Sequence, residues 1–152
     1  MIAYKHTQRG TLMIAVMSIA SVVLLVLALT LNKGVLGGFA ILVLAGWLFH
    51  SLTIEISGGE LRWRFGPGLI RKRVPLAQIV SAQPVRTNFL EGWGIHWSRF
   101  GWLYNVSGLD AVAITLHSGK RFALGTDEPQ ALASELEKAS RDPALRATLP
   151  SG

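Results

Sequence analysis

Apolar positions run unbroken through two stretches near the start of the chain, Thr11 to Leu31 and Val35 to Leu52, and neither contains Asp, Glu, Lys or Arg. At ~1.5 Å per helical residue, each run is long enough to cross a hydrocarbon core about 30 Å thick. The first holds twelve Leu, Ile and Val residues, which outweigh Ser18, Ser21 and Thr30 on a membrane-insertion scale. The second is weaker, because Gly37, Gly38, Gly46 and His50 add little, and it inserts as the partner of the first. Only Asn32, Lys33 and Gly34 separate the two, so the pattern predicts an antiparallel transmembrane hairpin with both chain ends on one side. A secretory signal peptide would show a shorter apolar core, a small-residue cleavage site and no second span directly behind it.

Beyond Leu52 the period changes from continuous to alternating. Leu52, Ile54 and Ile56 share one face and Gly58-Gly59 turns the chain. Leu61, Trp63 and Phe65 then alternate with Arg62 and Arg64, and Gly66-Pro67-Gly68 precedes a third strand over Leu69 to Val74. Ile79 to Val85 reads as a fourth strand, with Pro84 disfavouring a central position. Val112, Ile114 and Leu116 pair across Ser118-Gly119 with Phe122 and Leu124 as a hairpin. From Asp127 the period becomes helical: Asp127 and Gln130 have the spacing of a capping box, Pro129 suits a first turn, and Leu132, Leu136 and Ala139 form one stripe. These elements predict an α+β chain, a helical hairpin followed by a mainly antiparallel β barrel or sandwich with one C-terminal helix.

Charge refines this picture. The net charge of +6 is divided evenly between the first 52 residues, with three cations and no carboxylate, and the remainder, with twelve cations and nine carboxylates. Half of the basic excess therefore follows from membrane topology, and nucleic acid is not an expected partner. Lys33 alone occupies the hairpin turn, whereas Lys5 and Arg9 precede it and Arg62, Arg64, Arg71, Lys72 and Arg73 follow it. By the positive-inside rule both ends are expected on the cytoplasmic side of a membrane crossed twice. With no cysteine, thiolate nucleophiles, disulfides and Cys-based metal sites are excluded.

The stretches Leu61-Arg62-Trp63-Arg64-Phe65-Gly66-Pro67-Gly68-Leu69-Ile70, Val74-Pro75-Leu76-Ala77-Gln78-Ile79, Gly92-Trp93-Gly94-Ile95, Gly101-Trp102-Leu103-Tyr104-Asn105-Val106 and Gly125-Thr126-Asp127-Glu128-Pro129 resemble the bacterial pleckstrin-homology-like (PH-like) domains of small membrane-anchored proteins. The resemblance implies two orthogonal antiparallel sheets with a C-terminal helix plugging one end. Phosphoinositide binding is not implied, because no residue-by-residue match to that headgroup motif is present. The expected organisation is an N-terminal cytoplasmic segment (1–10), the membrane hairpin (11–52), the PH-like domain (53–141) and a flexible tail (142–152).

Two surfaces carry candidate chemistry. Arg62 and Arg64 share one strand face and Arg71 and Arg73 one face of its partner, so four guanidiniums can meet anionic lipid headgroups as one patch. The alternative is an ordinary solvated strand face. Between Arg86 and Ser107 lie Phe89, Trp93, Trp97, Phe100, Trp102 and Tyr104. Glycines beside Trp93 and Trp102 predict tight packing and burial of those indoles, leaving Phe89, Trp97 and Phe100 as candidates for contact with a protein partner. His6, His50, His96 and His117 lack metal-pair spacing, and Glu91 with His96 lacks an accompanying nucleophile, so no catalytic, metal or cofactor site is expected. Asn105-Val106-Ser107 matches a glycosylation acceptor by coincidence in a cytoplasmic domain. Ser21 with Ala28 and Gly38 with Ala45 allow close helix packing, within the hairpin or between copies. The pattern points to a non-enzymatic adaptor or accessory subunit of a membrane complex, with an anionic-lipid sensor as the alternative.

Overall fold

The N-terminal residues, expected to lie outside the domain, are a strand of it. In a computed structural model, which describes residues 2–91 and 94–142, β1 (Ile2–Arg9) pairs antiparallel with β2 (Ser51–Ser57) from Ile2↔Ser57 to Arg9↔Ser51. The alternation of Ile2, Tyr4, His6 and Gln8 with Ala3, Lys5, Thr7 and Arg9 carries this strand in the sequence. The tail beyond Asp142 falls outside the described residues, as do Trp93 and the side chain of Phe89.

Helices α1 (Thr11–Thr30) and α2 (Leu36–Leu48) are inserted between these paired strands, joined through a 3₁₀ turn at Lys33–Val35. The two pack antiparallel: a methyl added to Gly38 would stand 3.6 Å from Leu24, and one added to Gly46 would stand 3.6 Å from Met17. Asn32 accepts from the Gly34 amide at 2.7 Å and so closes the turn. Outside the mutual seam the helices present apolar side chains, Ile19 and Leu29 among them, to the surroundings.

The second apolar run is not one element. α2 has 13 residues, about 20 Å at ~1.5 Å each, against 20 residues and about 30 Å for α1. The apolar helix of the second run therefore ends at Leu48, because Leu52 and Ile54 belong to β2 and lie in the core of the sheets, and among the described residues only α1 is by itself long and apolar enough to cross a membrane. Apolarity alone does not distinguish a lipid-facing helix from a buried strand.

β2, β3 (Glu60–Phe65) and β4 (Ile70–Pro75) continue a four-stranded antiparallel sheet in the order β1-β2-β3-β4. A second sheet has the order β5-β8-β9-β7-β6, built from β5 (Ile79–Arg86), β6 (Gly94–Ser98), β7 (Gly101–Asn105), β8 (Asp110–Leu116) and β9 (Arg121–Gly125). The aromatic segment thus supplies a hairpin, β6–β7. Since β8 is paired on both sides, that hairpin adds at the free edge of β9, and β7 runs parallel to β9, a departure from the antiparallel pattern.

Leu52, Ile54 and Ile56 of β2, Leu61, Trp63 and Phe65 of β3, and Val112, Ile114 and Leu124 of the second sheet form one buried core. Helix α3 (Pro129–Arg141) closes it with Leu132 and Leu136, both fully buried and each contributing about 2 kcal/mol by area. The expected capping box is absent: Glu128 occupies the cap position, and its amide is held by Thr126 Oγ1 at 3.1 Å. Asp127 instead meets His6 Nε2 at 2.5 Å, and Glu128 lies 3.4 Å from His6 Nδ1 and accepts from the Tyr4 hydroxyl at 3.4 Å. These contacts bind β1 to the start of α3.

Candidate functional site

Alternation places Arg62, Arg64, Arg71 and Arg73 on the outer face of the first sheet, and the register sets Arg62 opposite Arg73 and Arg64 opposite Arg71. Each guanidinium thus faces a like charge, a destabilising cross-strand arrangement unless an anion lies between them. The two rows differ. Glu60 pairs with Arg62 at 2.8 Å and with Arg73 at 3.6 Å, whereas among the described residues no ion pair reaches Arg64 or Arg71. The unpaired row is the one nearer the helical hairpin. Arg64 lies beside the Gly66-Pro67-Gly68 turn, with its Cδ 3.5 Å from a methyl position on Gly68, and Gly66 abuts the end of α2. Gly66 has φ +44, and a methyl there would stand 2.5 Å from the Leu48 carbonyl oxygen, so only glycine lets this turn touch the helix. A shallow depression of ≈ 620 Å³ covers the arginine face and also borders Thr53 and Glu55.

A second, larger groove of ≈ 870 Å³ opens between β4 and the turns of the second sheet. Its floor is aromatic: Trp63 stacks on Phe122 with ring centroids 5.0 Å apart and meets Tyr104 edge-on at 5.4 Å. Lys72, one position out of phase with Arg71 and Arg73, points to this inner side, donates to the Tyr104 hydroxyl at 2.9 Å and lies 5.3 Å from that ring's centroid. The Trp63 Nε1–H is buried without a hydrogen-bond partner among the described residues. An orphan donor of this kind costs about 1–3 kcal/mol. Arg73, Arg99, Lys120 and Arg121 ring the opening, and no carboxylate lines it among the described residues.

Trp97 stands at the rim as expected, 71% exposed. Trp102 does not follow the prediction of burial: it is 48% exposed and meets Trp97 edge-to-face at 5.8 Å. Gly101 does pack tightly, against Arg121, but the alternation of β7 sets Trp102 on the same face as Tyr104 at the open end of the groove, while Leu103 packs on the opposite face with Ala111 and Ala123. Phe100 is the converse correction, half-buried against the Leu103, Ala111 and Ala123 cluster, with Arg99 over its ring at 4.7 Å. The structure therefore unites Trp97 with Trp102 rather than with Phe100. It also joins the two candidate surfaces, because Lys72 and Arg73 border both depressions. Lys72, Trp63 and Trp102 were legible as site residues only through strand parity and partner strands.

Glu91 accepts from the Asn88 amide at 2.7 Å and lies 3.7 Å from Arg99, so it closes its own loop rather than facing His96. Asn105 is fully buried and spans the turn behind it, donating to the Gly108 carbonyl at 3.0 Å and accepting from the Ser107 amide at 3.2 Å. No protein-family model, curated protein or solved structure matches this chain.

Proposed function

We propose that the protein is a non-enzymatic bacterial inner-membrane protein, anchored by α1 and α2, whose PH-like domain serves as a protein-binding adaptor on the cytoplasmic face. The observation that carries the anchoring is the pairing of β1 with β2 on either side of the helical hairpin. Strands hydrogen-bonded to each other lie on the same side of a bilayer, so a crossing by α1 requires a return by α2. The 3₁₀ turn extends the returning apolar helix back to Lys33, and Trp47 and His50 at its other end suit an interface. Cleavage after α1 would also remove β1, which argues against a signal sequence. Two sheets closed by a C-terminal helix are consistent with the PH-like reading, to which the β6–β7 hairpin would be an addition.

The adaptor role rests on the exposed Trp97–Trp102 pair, since such indoles concentrate binding energy at protein interfaces. A photo-crosslinker at position 97 in native membranes tests it, with covalent capture of a protein as the expected result and capture of lipid alone as the refuting one. A second reading is favoured by the uncompensated Arg64–Arg71 row beside the hairpin, which fits anionic headgroups of the protein's own bilayer.

A further inference from the structure

We propose that the groove between β4 and the β6–β7 hairpin receives an extended acidic peptide segment, which adds as a strand to the free edge of β4. This names the chemistry of the partner in the adaptor reading and rests on it. Both strands that border the groove are sheet edges: β4 pairs only with β3 and β6 only with β7 among the described residues. Their outer backbone N–H and C=O groups are available for strand addition, and a groove alongside supplies pockets for alternate side chains.

Charge selects the occupant. Arg71, Lys72 and Arg73 are consecutive on β4, so a second copy of the same strand would bring like charges together, and self-pairing at this edge is disfavoured. A segment rich in Asp and Glu is favoured on both of its faces. Carboxylates turned outward meet Arg71 and Arg73, and one turned inward meets Lys72 above the aromatic floor. Lys120 and Arg121 extend the same field across the opening, and the Trp97–Trp102 corner offers an apolar neighbour to an aromatic or aliphatic residue of the peptide. A site of ≈ 870 Å³ is large enough for several residues of an extended chain.

The test is selection of displayed random decapeptides on the full chain in phosphatidylcholine nanodiscs, which present no anionic lipid. Selected sequences should be enriched in Asp and Glu and depleted in Lys and Arg. Their binding should weaken with salt and fall about tenfold with the exposed-rim pair R73Q and K120Q, and about thirtyfold with W97A. Backbone N-methylation at alternate positions of a selected peptide should abolish binding. Absence of binders, binders without acidic enrichment, or indifference to N-methylation would overturn the proposal. Protein capture at position 97 combined with any of those results would leave the adaptor reading standing, whereas capture of lipid alone removes that reading whatever the peptides do.

Discussion

Replacing Gly101 with alanine tests how the aromatic hairpin is held. Gly101 has φ +89, and a methyl on it would stand 2.7 Å from the Arg121 carbonyl carbon and closer still to the carbonyl oxygen. Both are backbone atoms, so the strands themselves must separate, and the parallel register Trp102↔Phe122, Leu103↔Ala123 and Tyr104↔Leu124 lies directly next to the clash. Gly119 provides the control, with φ +80 and nothing within 4 Å of the added methyl. Gly119→Ala should therefore cost only the left-handed conformation, about 1–2 kcal/mol. Gly101→Ala should cost that plus about 1–3 kcal/mol of forced displacement, a large part of the ~5–15 kcal/mol available to a domain. Thermal unfolding of the full chain in nanodiscs, followed by tryptophan emission, should place Gly101→Ala at least about 4 °C below Gly119→Ala. Equal midpoints would refute the claim that β7 docks against β9 through this glycine.

Four further outcomes follow from the same geometry. Leu136→Ala should destabilise the domain by about 2–5 kcal/mol in denaturant titration, because α3 inserts that fully buried side chain into the core. Burial, with the Glu128 carboxylate adding to it, pushes the Tyr4 phenol from 10.0 up to about 12. The fold thus favours the protonated phenol, so its contribution is intact below pH 10 and is lost as pH rises from 10 to 12; Tyr4→Phe should flatten that decline in an alkaline unfolding series. An environment-sensitive dye on Leu69→Cys should shift to the blue in anionic but not neutral nanodiscs, and R64Q with R71Q should weaken this docking about thirtyfold, at roughly 1 kcal/mol per cation, more than R62Q with R73Q. Single cysteines at Thr7 and at Glu135 should be labelled from the same side of sealed vesicles, and labelling from opposite sides would exclude a two-crossing hairpin.

The local elements were legible where one period ruled. Leu61, Trp63 and Phe65 alternate with arginines, and β3 forms over Glu60–Phe65 around them; Leu132 and Leu136 repeat at helical spacing and α3 buries both. The same alternation was enough to set four arginines on one face of two neighbouring strands, since parity is a property of the chain itself. Partner choice is not. That β1 joins the sheet depends on two strands closing around the whole helical hairpin, from Arg9↔Ser51 outward, and no local signal reports such a pairing. The break at Leu48 was hidden because a helix in lipid and a strand in a core require the same apolar residues. The groove is the furthest from the sequence: Lys72, Trp97 and Phe122 come from β4, β6 and β9, and only the packing of two sheets sets an aromatic floor beneath a ring of cations.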